Sequence, residues 1–144
     1  MQYLTPQLTQ EVIGRLKTFE NDLVATFRKY GYNLRDNLGR RNQLVSQAQE
    51  KEFARSLRKV YNEVIEDGAP GKPDIYIVDI DKELECKLSS GTGKNKTKSF
   101  NLQTDWATLT KKGSLDYLYM LTTPDFEKFC VLFFKGLTTN DFYP

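Results

Sequence analysis

The chain has 144 residues, 39% of them hydrophobic and 28% charged, which is the size and composition of one globular domain with a single core. Its formal net charge is only +2, so any attraction to nucleic acid must come from local basic patches. Histidine is absent, which excludes Ser-His-Asp hydrolysis, His-dependent nucleases and zinc sites that use histidine.

The N-terminus, the hydropathy and the cysteines predict a cytoplasmic protein. Residues 1–4 lack a basic region followed by a long apolar run, so we expect no signal peptide. No apolar stretch approaches the roughly 20 residues of a membrane helix, so we expect no membrane partner. Cys86 and Cys130 lie in predicted core strands, where they are expected to be buried thiols rather than a disulfide.

Residues 5–30 are predicted to form the first helix, with Thr5 as its N-cap, Pro6 in its first turn and Gly31 at its end. Its apolar residues at helical spacing are Leu8, Val12, Ile13, Leu16, Phe19, Leu23, Val24 and Phe27. This stripe predicts either packing onto the core or an interface between two copies of the chain. Glu20 is expected to be solvated rather than a metal ligand.

Residues 31–43 are predicted to form a basic loop that contains Arg35, Arg40 and Arg41. The simplest interpretation is a solvated loop. The alternative is contact with phosphates, and Arg40 and Arg41 are our candidates for it.

A second helix is predicted from about Gln43 or Ser46 to Asp67, ended by Gly68, with an apolar stripe of Phe53, Ala54, Leu57, Val60, Tyr61, Val64 and Ile65. At about 100° per residue, Glu50 falls near the middle of that stripe, and Glu52 and Glu63 fall on the opposite face. A carboxylate that faces a core costs free energy unless it is paired or binds metal. Alternatively, Glu50 lies in fraying first turns, where the helix dipole favours an acidic group.

Residues 74–79 and 83–88 are predicted to form two strands of a hairpin, with a tight turn between them. A two-residue loop at Ile80-Asp81 would pair Asp74 with Lys87. Moving the loop by one residue changes the partners but not the side of the sheet on which each side chain lies. A three-residue loop would change which side chains share a side of the sheet.

In either two-residue register, Asp74, Glu85 and Lys87 share one face of the hairpin. The other face is apolar and is expected to be buried; it consists of Ile75, Ile77, Leu84 and Cys86. Two neighbouring carboxylates repel unless a cation lies between them, and all-oxygen ligands suit Mg²⁺ or Mn²⁺. A nearby lysine can orient or deprotonate a water, or offset charge on a phosphate. The alternative is an exposed hairpin whose scattered charges form no site.

Gly71-Lys72-Pro73-Asp74 and Glu85-Cys86-Lys87 resemble the PD-(D/E)XK motif of the restriction-endonuclease-like nuclease superfamily, in a match that covers mainly residues 46–135. The resemblance implies that Asp74 and Glu85 bind Mg²⁺, which Mn²⁺ can replace, and that Lys87 serves the attacking water. It implies a central mixed β-sheet flanked by helices.

Residues 48–53, Ala-Gln-Glu-Lys-Glu-Phe, resemble the helix of Holliday-junction resolvases and related nucleases, in which a helical glutamate joins the metal site. By this resemblance, Glu50 is a further catalytic and metal-binding candidate.

The segment after Lys87 carries Lys94, Lys96 and Lys98, which alternate with small polar residues. Such a segment can lie along a phosphate backbone, or it can be a disordered lysine loop. Residues 100–112 predict a short helix capped by Thr104 or Asp105. Before it, Asn101 and Gln103 are candidates for contacts with base edges, or ordinary surface residues.

Residues 116–122 and 128–135 are predicted strands, joined by a turn at 123–125. Both are apolar on both faces, so both are expected inside a sheet that is covered on both sides. Residues 137–144 are expected to form a short tail.

These elements predict one α/β domain with a restriction-endonuclease-like core: two N-terminal helices, a central mixed sheet of about four or five strands, and flanking helices. Residues 1–45 form an N-terminal helix and loop that is a candidate for dimerisation, and residues 46–136 form the catalytic core. The predicted core residues are Leu16, Phe27, Phe53, Leu57, Val60, Ile75, Ile77, Leu84, Cys86, Leu118, Met120, Val131 and Phe133.

The expected function is that of a small type II restriction-like endonuclease that cuts a short DNA sequence and acts as a homodimer, because two strands must be cut. The alternatives are a structure-selective Holliday junction resolvase and a catalytically inactive DNA-binding protein of the same fold.

Overall fold

The computed structural model of the protein describes residues 2–90 and 102–143. Lys94, Lys96, Lys98 and Asn101, which we predicted to contact DNA, lie outside the described residues. The helices are α1 (Pro6–Lys29), α2 (Leu38–Leu57) and α3 (Trp106–Lys112), and the strands are β1 (Val64–Ile65), β2 (Ile75–Ile77), β3 (Lys82–Ser90), β4 (Leu115–Thr122) and β5 (Phe129–Leu137). Short 3₁₀ turns cover Leu34–Asp36, Val78–Ile80 and Thr139–Asp141.

The five strands form one mixed sheet in the order β1-β2-β3-β4-β5. Only the β3–β4 pair is parallel among these neighbours, and α3 lies in the connection between these two strands. A parallel pair needs such a crossover, whereas the antiparallel neighbours are joined by shorter turns. The predicted α/β class and mixed sheet are confirmed, and β3 is the central strand.

Helices cover both faces of the sheet. On one face, α1 and α2 pack Leu16, Val45 and Phe53 onto Leu84 of β3 and Leu118 of β4. The second face holds a smaller cluster built from α3, β4, β5 and the C-terminal residues, namely Leu109, Leu115, Tyr117 and Tyr119 with Leu102, Leu132, Phe134, Leu137 and Phe142 against them. Because both faces are covered, every residue of β4 is buried, as predicted for residues 116–122.

Helix α1 forms as its sequence predicts. The Thr5 hydroxyl accepts a hydrogen bond from the Leu8 amide at 3.1 Å, and Pro6 is the first helical residue. Val12 and Leu16 are fully buried in the core of the same chain, so this part of the stripe packs onto the core, whereas Phe19 is 39% exposed. No helix in the described ranges is both long enough and apolar enough to cross a membrane.

Helix α2 begins earlier than predicted. The Asn37 side chain accepts a hydrogen bond from the Arg40 amide at 3.0 Å and caps the helix, so Leu38–Gln43 are helical rather than a loop. Arg40 and Arg41 therefore lie in the first turn of α2, and Glu50 lies well inside the helix. The interpretation that places Glu50 in fraying first turns is wrong.

Helix α2 also ends ten residues before the predicted end, at Leu57 rather than Asp67. The helix gives way to β1, which pairs with β2, and the Arg58 guanidinium donates to the Val64 carbonyl at 3.1 Å. Pairing in a sheet suits the β-branched pair Val64–Ile65 better than a helix does. As a consequence Val60, predicted to lie in the core, is 71% exposed.

Strand β5 was wrongly predicted to lie inside the sheet. It is the last strand in the order, and no described strand pairs with its outer edge. Val131 and Phe133 are therefore only partly buried, and Cys130 is exposed, which contradicts its prediction as a buried thiol. Phe27 of α1, another predicted core residue, is also only partly buried.

Candidate active site

The hairpin between β2 and β3 has a register two residues away from the predicted one. Ile77 pairs with Lys82 and Ile75 with Leu84, so the loop is Val78–Asp81 rather than two residues. Asp81 has a left-handed φ of 51°, which reverses the chain after the 3₁₀ turn. Because the shift is an even number of residues, each side chain keeps its predicted face.

The two faces of the hairpin are divided as predicted. The apolar set is buried toward α1 and α2: Ile75, Ile77, Leu84 and Cys86. On the opposite face, Glu85 lies beside Tyr117 and Lys87 beside Tyr119, their partners across the parallel β3–β4 ladder. The central strand therefore holds an acid and a lysine over a packed core.

Asp74 joins this pair at the point where β2 and β3 separate. The ladder between the two strands ends at the Ile75–Leu84 pair, while β3 continues to Ser90. Asp74 Oδ2 accepts a hydrogen bond from the Cys86 amide at 2.8 Å, so its carboxylate lies against β3 next to Glu85. Lys87 Nζ is 3.4 Å from Glu85 Oε2. We call these three residues, Asp74, Glu85 and Lys87, the acidic fork.

Glu50 reaches the acidic fork from α2. Burial raises the pKa of Glu50 to about 7, and the charges of Asp74, Glu66 and Glu85 add to the rise, against a lowering by Lys87. Three other acids thus act on this partly buried carboxylate, and Lys87 opposes them.

Its neighbour in the helix, Glu52, has a different environment. Glu52 forms ion pairs with Arg15 of α1 and with Arg55, so it faces α1 rather than the solvent. Glu63, predicted on the same helix face, is exposed in the connection after α2.

Burial and neighbouring charges shift the pKa values of all three residues of the acidic fork. Burial raises the pKa of Glu85 to about 6, and the Asp74 charge adds to the rise, while Lys87 opposes it. Burial also raises the pKa of Asp74, against the hydrogen bond from Cys86. For Lys87, burial alone would lower the pKa, but Glu85 and Asp74 outweigh it and the pKa lies above its ordinary value. Lys87 is therefore an ammonium at neutral pH.

The donor atoms of the acidic fork suit Mg²⁺. The described residues contain no ready-made group of three or more His, Cys, Asp or Glu side chains that could hold a metal ion. Mg²⁺ does not need one, since it is usually bound by one or two carboxylates together with waters and substrate phosphates. Asp74 and Glu85 supply two such carboxylates, and their mutual repulsion is what a divalent cation would relieve.

Arg41 and Glu20 have roles that the sequence did not indicate. Both side chains are fully buried, with Arg41 Nη1 3.1 Å from Glu20 Oε1, and Arg35 pairs with the other oxygen of Glu20 at 2.7 Å. Arg41 also donates to Ser90 Oγ at 2.8 Å and to the Pro124 carbonyl at 3.0 Å. Arg41 is therefore not a DNA contact, and Glu20 is not solvated.

Breaking this buried ion pair should destabilise the fold. Arg41→Met leaves the Glu20 charge short of a partner and should cost about 3 kcal/mol or more, which lowers Tm by about 10 °C in a chain of this size. Arg40→Met, at the adjacent exposed position, is the matched control and should leave Tm within about 2 °C of the wild type. Thermal unfolding followed by circular dichroism measures both, and equal Tm values for the two variants would contradict the assignment.

Two tyrosines beside the acidic fork hold the segment before α3. The hydroxyl groups of Tyr117 and Thr104 are hydrogen bonded to each other, and the Tyr119 hydroxyl donates to the Gln103 carbonyl at 3.1 Å. The two rings stack with centroids 5.7 Å apart. The exposed Gln103 side chain therefore lies in a segment that is held beside Lys87, and the Thr104 hydroxyl is bonded to Tyr117. The alternation of Tyr117 and Tyr119 along one strand face was the available indication of this arrangement.

Comparisons of the chain with protein-family models, with curated proteins and with solved structures each found no match.

Proposed function

We propose that the chain is a magnesium-dependent DNA endonuclease of the PD-(D/E)XK superfamily, with the acidic fork as its active site. The observation that carries the proposal is the convergence of Asp74, Glu85 and Lys87 where β2 and β3 separate, with Glu50 of α2 beside them. Neighbouring carboxylates that repel one another can bind a metal ion, and the ammonium beside them can interact with the phosphate of a phosphodiester.

The roles of the residues follow from their charges. Asp74 and Glu85 would bind Mg²⁺, for which Mn²⁺ can substitute, and Glu50 would support the metal or the attacking water. Bound Mg²⁺ would neutralise the repulsion between the carboxylates and polarise the phosphate. Because Lys87 is an ammonium, it orients the water or stabilises charge that develops on the phosphate. As the water attacks phosphorus in line, the bond from phosphorus to the oxygen of the leaving strand would break, and the water would give up a proton to Glu50 or to bulk water.

The architecture supports the proposed superfamily. A mixed sheet with α1 and α2 on one face and α3 on the other agrees with the restriction-endonuclease-like fold that the motif implies. The acidic fork lies within the proposed catalytic core, residues 46–136.

DNA contact is proposed for the exposed side chains of Arg40 and Gln103, and for Lys94, Lys96, Lys98 and Asn101. The triple variant with alanine at positions 94, 96 and 98 should bind duplex DNA more weakly, by a similar factor whatever the DNA sequence. If each lysine neutralises one phosphate, the slope of log K against log salt concentration becomes less negative by about 3. A titration of labelled duplex in EDTA at several salt concentrations measures the slope, and an unchanged slope would contradict these contacts.

The most suitable substrate class is a short sequence in duplex DNA, cut by a homodimer because each copy has one acidic fork and two strands must be cut. The placement of Glu50 beside the acidic fork favours a second candidate, a Holliday junction resolvase. A panel of linear duplexes of varied sequence and four-way junctions, each with Mg²⁺, separates the two. Cleavage at one sequence in duplex supports the first, and symmetrical cleavage of junctions alone supports the second.

A third outcome of the same panel would overturn the proposal. Salt-sensitive binding of DNA without metal-dependent cutting of any substrate would identify an inactive DNA-binding protein.

A further inference from the structure

Gln49 occupies a buried position in α2 where an apolar side chain would cost less free energy of burial. It lies on the helix ridge that faces the sheet, one turn from Val45 and one turn from Phe53, and all three side chains are fully buried. Burying an amide costs free energy unless its polar atoms are hydrogen bonded. A residue that breaks the burial pattern without full compensation is expected at a functional site.

Only one end of the Gln49 amide is hydrogen bonded within the described chain. Its Nε2 donates to the Lys87 carbonyl at 3.3 Å. Its Oε1 is buried and has no partner among the described residues. Turning the amide over would place two oxygens against each other, so the Lys87 carbonyl determines its orientation. Buried acceptors of this kind typically bind an ordered water.

The position of Gln49 connects the two elements that carry the site. It directly precedes Glu50 in α2, and it is bonded to the main chain of Lys87 in β3. The Lys87 side chain in turn lies 3.4 Å from Glu85. One side chain therefore links the helix that presents an acid to the strand that presents the lysine.

We propose that Gln49 is a positioning residue of the acidic fork, in which Nε2 holds the Lys87 main chain against α2 and Oε1 holds a buried water. The inference rests on the proposed function for what is positioned, namely Lys87 and Glu50. Gln49 itself touches neither DNA nor metal in this scheme.

The first test does not need activity. Gln49→Met keeps the length of the side chain and removes both polar atoms, and Gln47→Met on the exposed side of α2 is the matched control. Competitive acylation of lysines with acetic anhydride, read by peptide mass spectrometry, measures the reactivity of Lys87. We expect Lys87 to become at least threefold more reactive in Gln49→Met only, because the hydrogen bond that holds its main chain against α2 is lost.

A lower Tm with unchanged Lys87 reactivity would show that Gln49 only fills the core, and would overturn the inference. A crystal structure of the wild type that shows no water within hydrogen-bond distance of Oε1 would overturn the role of that atom. If Gln49→Met does not fold, Gln49→Asn, which stays polar but is too short to reach Lys87, is measured in the same way.

The second test uses cleavage. Gln49→Met should lower kcat at least tenfold with little change in KM and should shift the pH profile, while Gln47→Met should match the wild type. Equal kcat values for the two variants would contradict the inference. If the wild type cleaves no DNA, the proposed function fails, and the acylation result still decides whether Gln49 positions Lys87.

Discussion

Replacing Lys87 with alanine is expected to lower the rate of magnesium-dependent DNA cleavage by about 10²–10³-fold and to leave the fold intact. The Lys87 ammonium is 36% exposed and bonded only to Glu85 in the described structure, so its loss removes charge from the site without opening the core. Single-turnover cleavage of a labelled duplex measures the rate, and thermal unfolding monitors the fold.

Matched variants make this result specific to the acidic fork. Lys82→Ala changes an exposed lysine on the same strand, and Glu83→Gln changes an acid two residues before Glu85 that pairs with Lys112. Both should cleave at the wild-type rate. Asp74→Asn can still accept the hydrogen bond from Cys86, so it should fold and yet lose cleavage. Retained cleavage in both Lys87→Ala and Asp74→Asn would contradict the assignment.

Replacing Glu50 with glutamine is expected to stabilise the metal-free protein at pH 8. The pKa of Glu50 is about 7 in the fold, above the ordinary 4.5 of an unfolded chain. The folded state therefore holds a proton that the unfolded state releases, and stability falls as pH rises from about 4.5 to about 7. Above that range the cost of the charged group is complete, and the glutamine removes it.

Replacing the neighbouring acid Glu52 should change Tm in the opposite direction. Glu52→Gln, two positions along the same helix, breaks the ion pairs with Arg15 and Arg55 and should lower Tm at pH 8. Thermal unfolding in EDTA at pH 4.5 and pH 8 measures both variants. We expect Glu50→Gln to have a higher Tm than the wild type at pH 8 but not at pH 4.5, because Glu50 of the folded wild type is protonated at pH 4.5. A Glu50→Gln variant that is less stable than the wild type at pH 8 would contradict the electrostatic account.

Magnesium should act on the same carboxylates. A ligand that binds only the folded state raises its stability, so added Mg²⁺ should raise the Tm of the wild type at pH 8. The increase should be smaller in Glu50→Gln, where one of the repelling charges is already gone.

The placement of the candidate site could be predicted from sequence because side chains alternate in a strand. The loop length between β2 and β3 was predicted wrongly, but the error of two residues left Asp74, Glu85 and Lys87 on one face and Ile75 and its neighbours on the other. Helical spacing also indicated that Glu50 is not on the solvent face of α2, but the buried ridge runs through Val45, Gln49 and Phe53, and Glu50 beside it is only partly buried.

Features set by contacts distant in sequence could not be read in the same way. Glu20 and Arg41 looked like surface residues because nothing local shows that α1 and α2 bring them together in the core. The exposure of Cys130 depends on β5 being the outer strand, which is a property of strand order rather than of its own apolar residues. The end of α2 was missed because β1 is stabilised by pairing with β2.

The most direct test of the proposal is incubation of the purified protein with supercoiled plasmid in Mg²⁺ or in EDTA, with the Lys87→Ala variant alongside. The proposal predicts conversion to linear DNA or discrete fragments that requires both Mg²⁺ and Lys87, and the fragment ends would then identify the cut site. Cleavage that persists in EDTA, or that proceeds at the wild-type rate in Lys87→Ala, would contradict the acidic fork as the active site. A plasmid that stays intact under all conditions would contradict cleavage of ordinary duplex DNA by this chain.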